Sequence, residues 1–226
     1  RKAEVKRFIY AASSSCYGIP SEFPTKETCP PDPQYPYALS KYLGELAFFH
    51  WLKLYDLSGL SLRLFNVYGP RARTSGNYGA VLGVFLGQKR TKLPLTIVGD
   101  GTQVRDFTYV SDVVEALVLA GESNATGMAI NIGTSNPTSV NRLAQLIAGA
   151  TVFIPKRPGE PDQTNANNKL ALDVLKWTAK VSIEEGVRRV LNQPESWGDA
   201  PSWTPEQIAQ QTATWFKYLS KGERPN

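Results

Sequence analysis

The sequence predicts an α/β fold with a parallel sheet, of the doubly wound kind but holding only the second of its two βαβαβ halves. Three observations carry this. Short apolar runs without helical period alternate with longer amphipathic stretches, the pattern of βαβ units. Only three or four strong strand candidates occur, too few for a whole doubly wound sheet. No strand–turn–helix of the G-x-G-x-x-G type occurs among the 226 residues.

The elements follow in order. Residues 6–12 (KRFIYAA) form an apolar run stopped by Ser13–Ser14–Ser15 and Gly18, the signature of a buried strand that ends in a polar loop. Residues 19–36 hold Pro20, Pro24, Pro30, Pro31, Pro33 and Pro36 and read as loop. From Tyr37 a helix runs to Tyr55, with Leu39, Leu43, Leu46, Ala47 and Leu54 as its apolar stripe. LSLRLFNV (60–67) reads as a strand ended by Gly69–Pro70, residues 79–90 as a helix, and LTIV (95–98) as a strand before Gly99–Asp100–Gly101. Asp112–Ala120 reads as a helix capped by Ser111 or Asp112. AINIG (129–133) is a strand and Ser139–Ala148 a helix. Residues 155–169 carry turn chemistry, and Thr204–Pro205 begins an amphipathic helix to 219.

Composition narrows the function. A chain that is 42% hydrophobic and 20% charged, with 18 Gly and 16 Pro, is globular rather than disordered, collagenous or coiled. One His (His50) and two Cys (Cys16, Cys29) cannot build a His/Cys metal cage, so no metal is expected. Two thiols are too few for a disulfide framework and favour a cytoplasmic location. The net charge, 25 − 20 = +5, is scattered, unlike the one-faced charge of a nucleic-acid binder. No apolar run approaches the ~18 residues of a membrane span. The chain opens at Arg1 and its one methionine is Met128, from which a fragment or a processed product is expected.

Tyr37 and Lys41 share a helix face, with Cβ atoms roughly 6 Å apart. A cation beside a phenol favours the phenolate and makes tyrosine a usable base. Tyr and Lys four apart are common on helices, so the pair gains meaning only from its surroundings. Those are AASSSCYG, YALSK, LRLFNVYGPR, GDGTQVRDFTYVSDV, NIGTS and RPGE, in that order from Lys6 to Trp177. The series resembles the extended short-chain dehydrogenase/reductases, and within them the NAD-dependent nucleotide-sugar epimerase/dehydratase family.

The resemblance implies the C-terminal part of a Rossmann-like sheet and a smaller α/β nucleotide-sugar lobe. It implies NAD as cofactor and a catalytic set of Ser13, Tyr37 and Lys41. Tyr37 would remove a sugar hydroxyl proton while hydride leaves the same carbon for NAD. Lys41 would hold the cofactor ribose and tune Tyr37, so both also count as cofactor-binding. Ser13 would bond the sugar oxygen, against the plainer reading of a strand-end cap. Ser14 and Ser15 fall beside the sugar. Asn66, Arg105 and Arg157 fall at diphosphate positions, where a guanidinium fork bonds phosphate bidentately. Thr96 and Val98 would line the base through backbone groups.

Relatives that eliminate water carry Asp-Glu where Ser14–Ser15 stand, and decarboxylases carry Glu at Ser15. With neither carboxylate present, the resemblance implies epimerisation, most often at C4 of a UDP-hexose or UDP-N-acetylhexosamine. A reductase or dehydratase of the same family, or a non-catalytic nucleotide-sugar binder, stays open as the alternative. Thr164 falls at the position whose bulk gates the sugar pocket, and a small residue there leaves room for an N-acetyl group. Residues 1–73 and 102–135 are expected to form the Rossmann-like lobe. Residues 74–101 and 136–226 are expected to form the nucleotide-sugar lobe, with the site in the cleft between. A homodimer through the Tyr37–Tyr55 helix is expected, and no nucleic acid or membrane partner. Cys16 reads as a packing residue and His50 as structural. Trp197, Trp203 and Trp215 suit either packing or a subunit contact.

Overall fold

The computed structural model describes residues 2–72, 81–156, 158, 160–198, 200–201 and 203–219. Its strands are β1 (Arg7–Ser13), β2 (Ser58–Leu64), β3 (Val67–Tyr68), β4 (Leu95–Val98), β5 (Val104–Arg105), β6 (Thr108–Tyr109), β7 (Met128–Ile132), β8 (Thr138–Ser139) and β9 (Thr151–Ile154). Its helices are α1 (Pro36–Tyr55), α2 (Val81–Arg90), α3 (Val110–Glu122), α4 (Val140–Ile147), α5 (Lys169–Leu175), α6 (Ile183–Leu191) and α7 (Pro205–Leu219).

The chain divides into two compact units. The first holds Arg1–Val67, Asp106–Pro137 and Thr164–Ser182, and the second holds Tyr68–Arg105, Thr138–Gln163 and Ile183–Asn226. These limits differ from those the sequence predicts, most of all at 164–182. That segment joins the first unit because Leu175 and Trp177 are buried with the sheet residues Leu60, Leu62, Ile130 and Ile132. Thr25 also stitches it down, donating its N–H to Asn165 O at 2.7 Å and accepting from Asn167 N at 2.9 Å.

The first unit is built on a parallel sheet of order β1-β2-β7. Successive side chains of a strand point to opposite faces, and β2 uses both. Leu60 and Leu62 pack with Val113, Ala116 and Ala120 of α3. Ser61 and Arg63 point the other way, to Glu45 of α1. The α3 start differs from expectation: Tyr109 stands at the N-cap without a side-chain cap. Asp112 instead accepts Lys180 N and Val181 N at 2.9 and 3.0 Å, tying α3 to the chain after α5.

The face of α1 also differs from expectation. Ala38, Glu45, Phe48 and Leu52 are buried, whereas Leu39, Leu43, Leu46 and Leu54 are 45–58% exposed. The helix is apolar nearly all round, so its richest stripe did not decide which side met the sheet. A sheet guanidinium and a strand carbonyl did.

The second unit pairs β4 with β9 in parallel and β5 with β8 antiparallel. Ser139 caps α4, accepting from Arg142 N. Thr204 and Gln207 form a reciprocal capping box at α7, at 3.0 and 3.3 Å. Trp197 donates its indole N–H to Val190 O and the Trp203 carbonyl accepts from Gln88, so both tryptophans bond within this unit. The side chain of Trp215 lies outside the described residues. Among the described residues no helix is long and apolar enough to cross a membrane.

Candidate active site

Ser13 ends β1 and caps a 3-10 turn over Ser14–Tyr17. Its Oγ accepts the Ser15 N–H at 3.2 Å and the Ser15 hydroxyl at 2.9 Å. A hydroxyl has one donor and two acceptor positions. Ser13 is therefore a cap, and the same two bonds leave its own O–H to be given elsewhere. Gly18 closes the turn at φ 63°, where an added Cβ would lie 2.0 Å from Asp32 O, so glycine is required twice over.

Tyr37 and Lys41 occupy the first turns of α1, with Pro36 at its start. Tyr37 is 39% exposed and stacks on Tyr35. Lys41 Nζ donates to Ala11 O at 2.9 Å, two residues before Ser13. Its ammonium stands 5.8 Å from the Tyr10 ring centroid, and the Tyr10 hydroxyl donates to Lys41 O at 3.1 Å. The strand end that carries Ser13 is thus tied to the helix end that carries Tyr37.

Asn66, exposed just beyond β2, belongs to the same unit. Its Oδ1 accepts the Thr164 hydroxyl at 2.9 Å, while Thr164 Oγ1 accepts Asp106 N–H at 3.1 Å. Thr164 is small, as read from the sequence, and its hydroxyl is engaged on both sides.

The remaining candidates lie in the second unit. Arg105 on β5 is largely buried, donates to Val104 O at 2.9 Å and Asp162 O at 3.4 Å, and faces Glu160 at 4.0 Å. Val98 is partly exposed, and its carbonyl accepts from Gln103 Nε2 at 2.7 Å. Thr96 is 3% exposed, its N–H donates to Gln88 Oε1 at 2.9 Å and its hydroxyl accepts from Gln88 Nε2 at 2.8 Å. Arg157 lies outside the described residues. Cys16 is buried with Tyr17, Phe65 and Ala166, and burial pushes its thiol up to about 12. It packs, as the sequence suggested.

Sequence reasoning missed a layer of supporting charges. The buried Asp106 carboxylate gathers Thr134 N, the Thr134 hydroxyl, Ser135 N and Ala166 N at 2.6–3.0 Å. Glu45 and Arg63 form a buried pair at 2.6 Å. Burial alone would lower the Arg63 guanidinium, but its bonds to Glu45, aided by Tyr17 and Cys16, hold it above its ordinary value. One signal was in the sequence: an arginine inside the apolar run LSLRLFNV, and a glutamate eight residues after Tyr37.

The cofactor that the resemblance implies is NAD. Tyr37 is exposed, and Lys41, with three donors of which Ala11 takes one, stands on the same helical stripe. These fit the nicotinamide-ribose end. These 226 residues contain no glycine-rich turn for the pyrophosphate.

Residues 1–133 match the model of the "NAD dependent epimerase/dehydratase family". A UDP-glucose 4-epimerase of Mycolicibacterium smegmatis is 35% identical over 198 residues, 84% of this chain and 63% of that protein. Among solved structures, UDP-glucose 4-epimerase of Thermotoga maritima with UDP-glucose aligns at TM-score 0.79 and 35% identity, covering 84% of this chain and 64% of that one. The UDP-glucuronic acid 4-epimerase of Bacillus cereus with UDP-glucuronic acid and NAD aligns at TM-score 0.78 and 32% identity, over 85% and 62%. The chain thus spans a little under two thirds of the length of these relatives. With its family model covering more than half of its residues and its ordered motifs in place, the chain belongs to the NAD dependent epimerase/dehydratase family.

Proposed function

We propose that this chain carries the proton-handling and sugar-handling part of an NAD-dependent epimerase acting on a nucleotide diphosphate sugar. The substrate that the family resemblance implies is a UDP-hexose or UDP-N-acetylhexosamine, epimerised at C4. The observation that carries the reading is the anchoring of Lys41 to Ala11 O at 2.9 Å, which ties the Tyr37 helix to the strand that ends in Ser13.

Tyr37 and Lys41 would hold the cofactor ribose. NAD, when bound, supplies reversible two-electron oxidation of the sugar carbon. Tyr37, as phenolate, accepts the hydroxyl proton while that carbon is oxidised, and Lys41 opposes the negative charge of the phenolate. Ser13 gives its O–H to the same sugar oxygen. The keto-sugar then presents its other face, the carbon is reduced, and Tyr37 returns the proton. Serines at 14 and 15 offer no carboxyl pair for elimination or decarboxylation. Asn66 and Arg105 bind the diphosphate, with Arg157 as a second guanidinium, and Thr164 leaves room for an N-acetyl group.

Two further features support a larger assembly. β1 is bonded only to β2 among the described strands. An apolar hollow of about 450 Å³ is lined by Val5, Phe8 and Tyr10 and by Phe48 and Trp51 of α1. Parallel sheets are seldom left uncovered, and a cofactor-binding half would continue the sheet beyond β1. Leu39, Leu43 and Leu46, each about half exposed on α1, offer a face to a second copy. The two thiols suit the cytoplasm.

The test has two stages. Calorimetry of the chain with UDP and UDP-glucose should give saturable one-to-one binding, and no binding by either would sink the nucleotide-sugar reading. The NAD-loaded protein should then interconvert the 4-epimers of a UDP-hexose without net change in NADH. Net consumption of reduced cofactor would make it a reductase.

A further inference from the structure

Tyr37, Lys41 and Glu45 are spaced by four and lie on one stripe of α1. Lys41 is tied to β1, and Glu45 is tied to β2. The Glu45 carboxylate accepts the Ser61 hydroxyl at 2.7 Å, Arg63 Nε at 3.1 Å and Arg63 NH2 at 2.6 Å. That fork uses one edge of the guanidinium. The other edge points to the serine turn. Arg63 NH1 donates to the Tyr17 hydroxyl at 2.9 Å and to Glu27 O at 3.3 Å, and the guanidinium carbon stands 4.9 Å from the Tyr17 ring centroid. The Tyr17 hydroxyl donates its own O–H to Asn131 Oδ1 at 2.7 Å. Asn131, the β7 register partner of Arg63, donates Nδ2 to Thr25 O at 2.9 Å.

One buried cation therefore touches both carriers of the candidate chemistry. Glu45 sits two helical turns from Tyr37, and Tyr17 ends the 3-10 turn that Ser13 caps. A buried ion pair is seldom more stabilising than a well-packed apolar pair of the same size. What it adds is direction, because a rigid planar fork can hold two elements at a set angle. We propose that Arg63 is a positioning residue that holds the Ser13 turn and the Tyr37–Lys41 helix in one register. The inference rests on the epimerase reading for its catalytic meaning, while the joint itself does not.

The test uses two variants. Tyr17→Phe removes only the hydroxyl that links the turn to the guanidinium. The paired replacement Glu45→Leu/Arg63→Met removes the joint without leaving a lone charge. Hydrogen–deuterium exchange of the chain reads the joint directly, because Gly18 N–H bonds Ser15 O at 3.2 Å and Asp32 N–H bonds Cys16 O at 2.9 Å. In Tyr17→Phe these two amides should exchange about tenfold faster while the α1 amides keep their rates. In the NAD-loaded protein with a UDP-hexose, kcat should fall on the order of tenfold or more with KM unchanged. The paired variant should lose kcat in the same way.

Gly18 and Asp32 amides that exchange in Tyr17→Phe as in the parent chain would overturn the joint. Unchanged kcat in a variant with a loosened turn would overturn the positioning role. If the parent protein turns over no UDP-hexose, the epimerase reading and the positioning role fall together, whereas the exchange rates still decide the joint. Tyr17→Phe decides alone if the paired variant does not fold.

Discussion

The two units bury polar side chains beside their candidate site residues and neutralise them by different means. The first uses a full charge pair, Glu45 with Arg63, whose side chains are 2% and 7% exposed. The second uses an amide: Gln88, fully buried, bonds Thr96 through both its oxygen and its nitrogen and also donates to Trp203 O at 2.7 Å. The amide serves a local patch of α2, β4 and the segment before α7. The ion pair reaches α1, β2 and the serine turn, and through Tyr17 it reaches β7. Charge gives reach because a guanidinium offers five donors along two edges, and it makes the loss of one partner costly.

The largest effect that would sharpen this contrast is catalytic and falls in the first unit. Tyr37→Phe should lower turnover of a UDP-hexose by about 10²–10⁴-fold and leave stability within ~0.5 kcal/mol, as expected for an exposed side chain. UDP binding should be unaffected. Arg105→Ala, in the second unit, should do the reverse and weaken UDP binding with the fold intact. If Tyr37→Phe abolished UDP binding, the division of labour between chemistry and anchoring would be wrong.

Stability comes next. Arg63→Ala leaves the Glu45 carboxylate buried and unpaired, which should cost about 3–5 kcal/mol in urea unfolding. Gln88→Leu strands Thr96 N–H and the Trp203 carbonyl and should cost about 1–3 kcal/mol. A Gln88→Leu loss equal to the Arg63→Ala loss would erase the distinction between charge and amide. A sharper version replaces both partners of the pair: Glu45→Leu/Arg63→Met should recover most of the Arg63→Ala loss.

The sequence is legible where spacing is local. The strands at 7–13, 58–64, 95–98 and 128–132 are apolar runs between turn residues, and Tyr37 and Lys41 sit one helical turn apart. The misread face of α1 shows where such reading stops. Its inner stripe, the buried Ala38, Glu45, Phe48 and Leu52 with the half-buried Lys41 among them, keeps helical period but carries two charges, so hydropathy points to the leucines instead. Ala11 O, Ser61 and Arg63, from strands distant in sequence, hold that stripe inward. Helices α5 and α6, of 7 and 9 residues, were missed for a related reason. Helices that short depend on packing more than on their own propensity.

The smallest expected effect concerns Glu27, at the rim of the charged network, and it acts through pH. Its Oε1 accepts Asn131 N–H at 2.9 Å. Burial pushes its carboxyl up, with the bonds from the Asn131 and Glu27 backbone and the nearby Arg63 pulling only partly back. The folded protein therefore holds this proton to a higher pH than the unfolded chain, whose carboxyl titrates near 4.5. In that window the native state binds more protons, so its stability falls as pH rises. Above the raised folded value the penalty is complete. Glu27→Gln keeps an oxygen acceptor for Asn131 and removes the charge. The variant should be slightly more stable than the parent at neutral pH, and the difference should vanish below about pH 4, where both forms are neutral. Urea midpoints at the two pH values check this. A variant less stable at neutral pH would mean that the Glu27 charge supports Arg63, and that the network draws on a second carboxylate beyond Glu45.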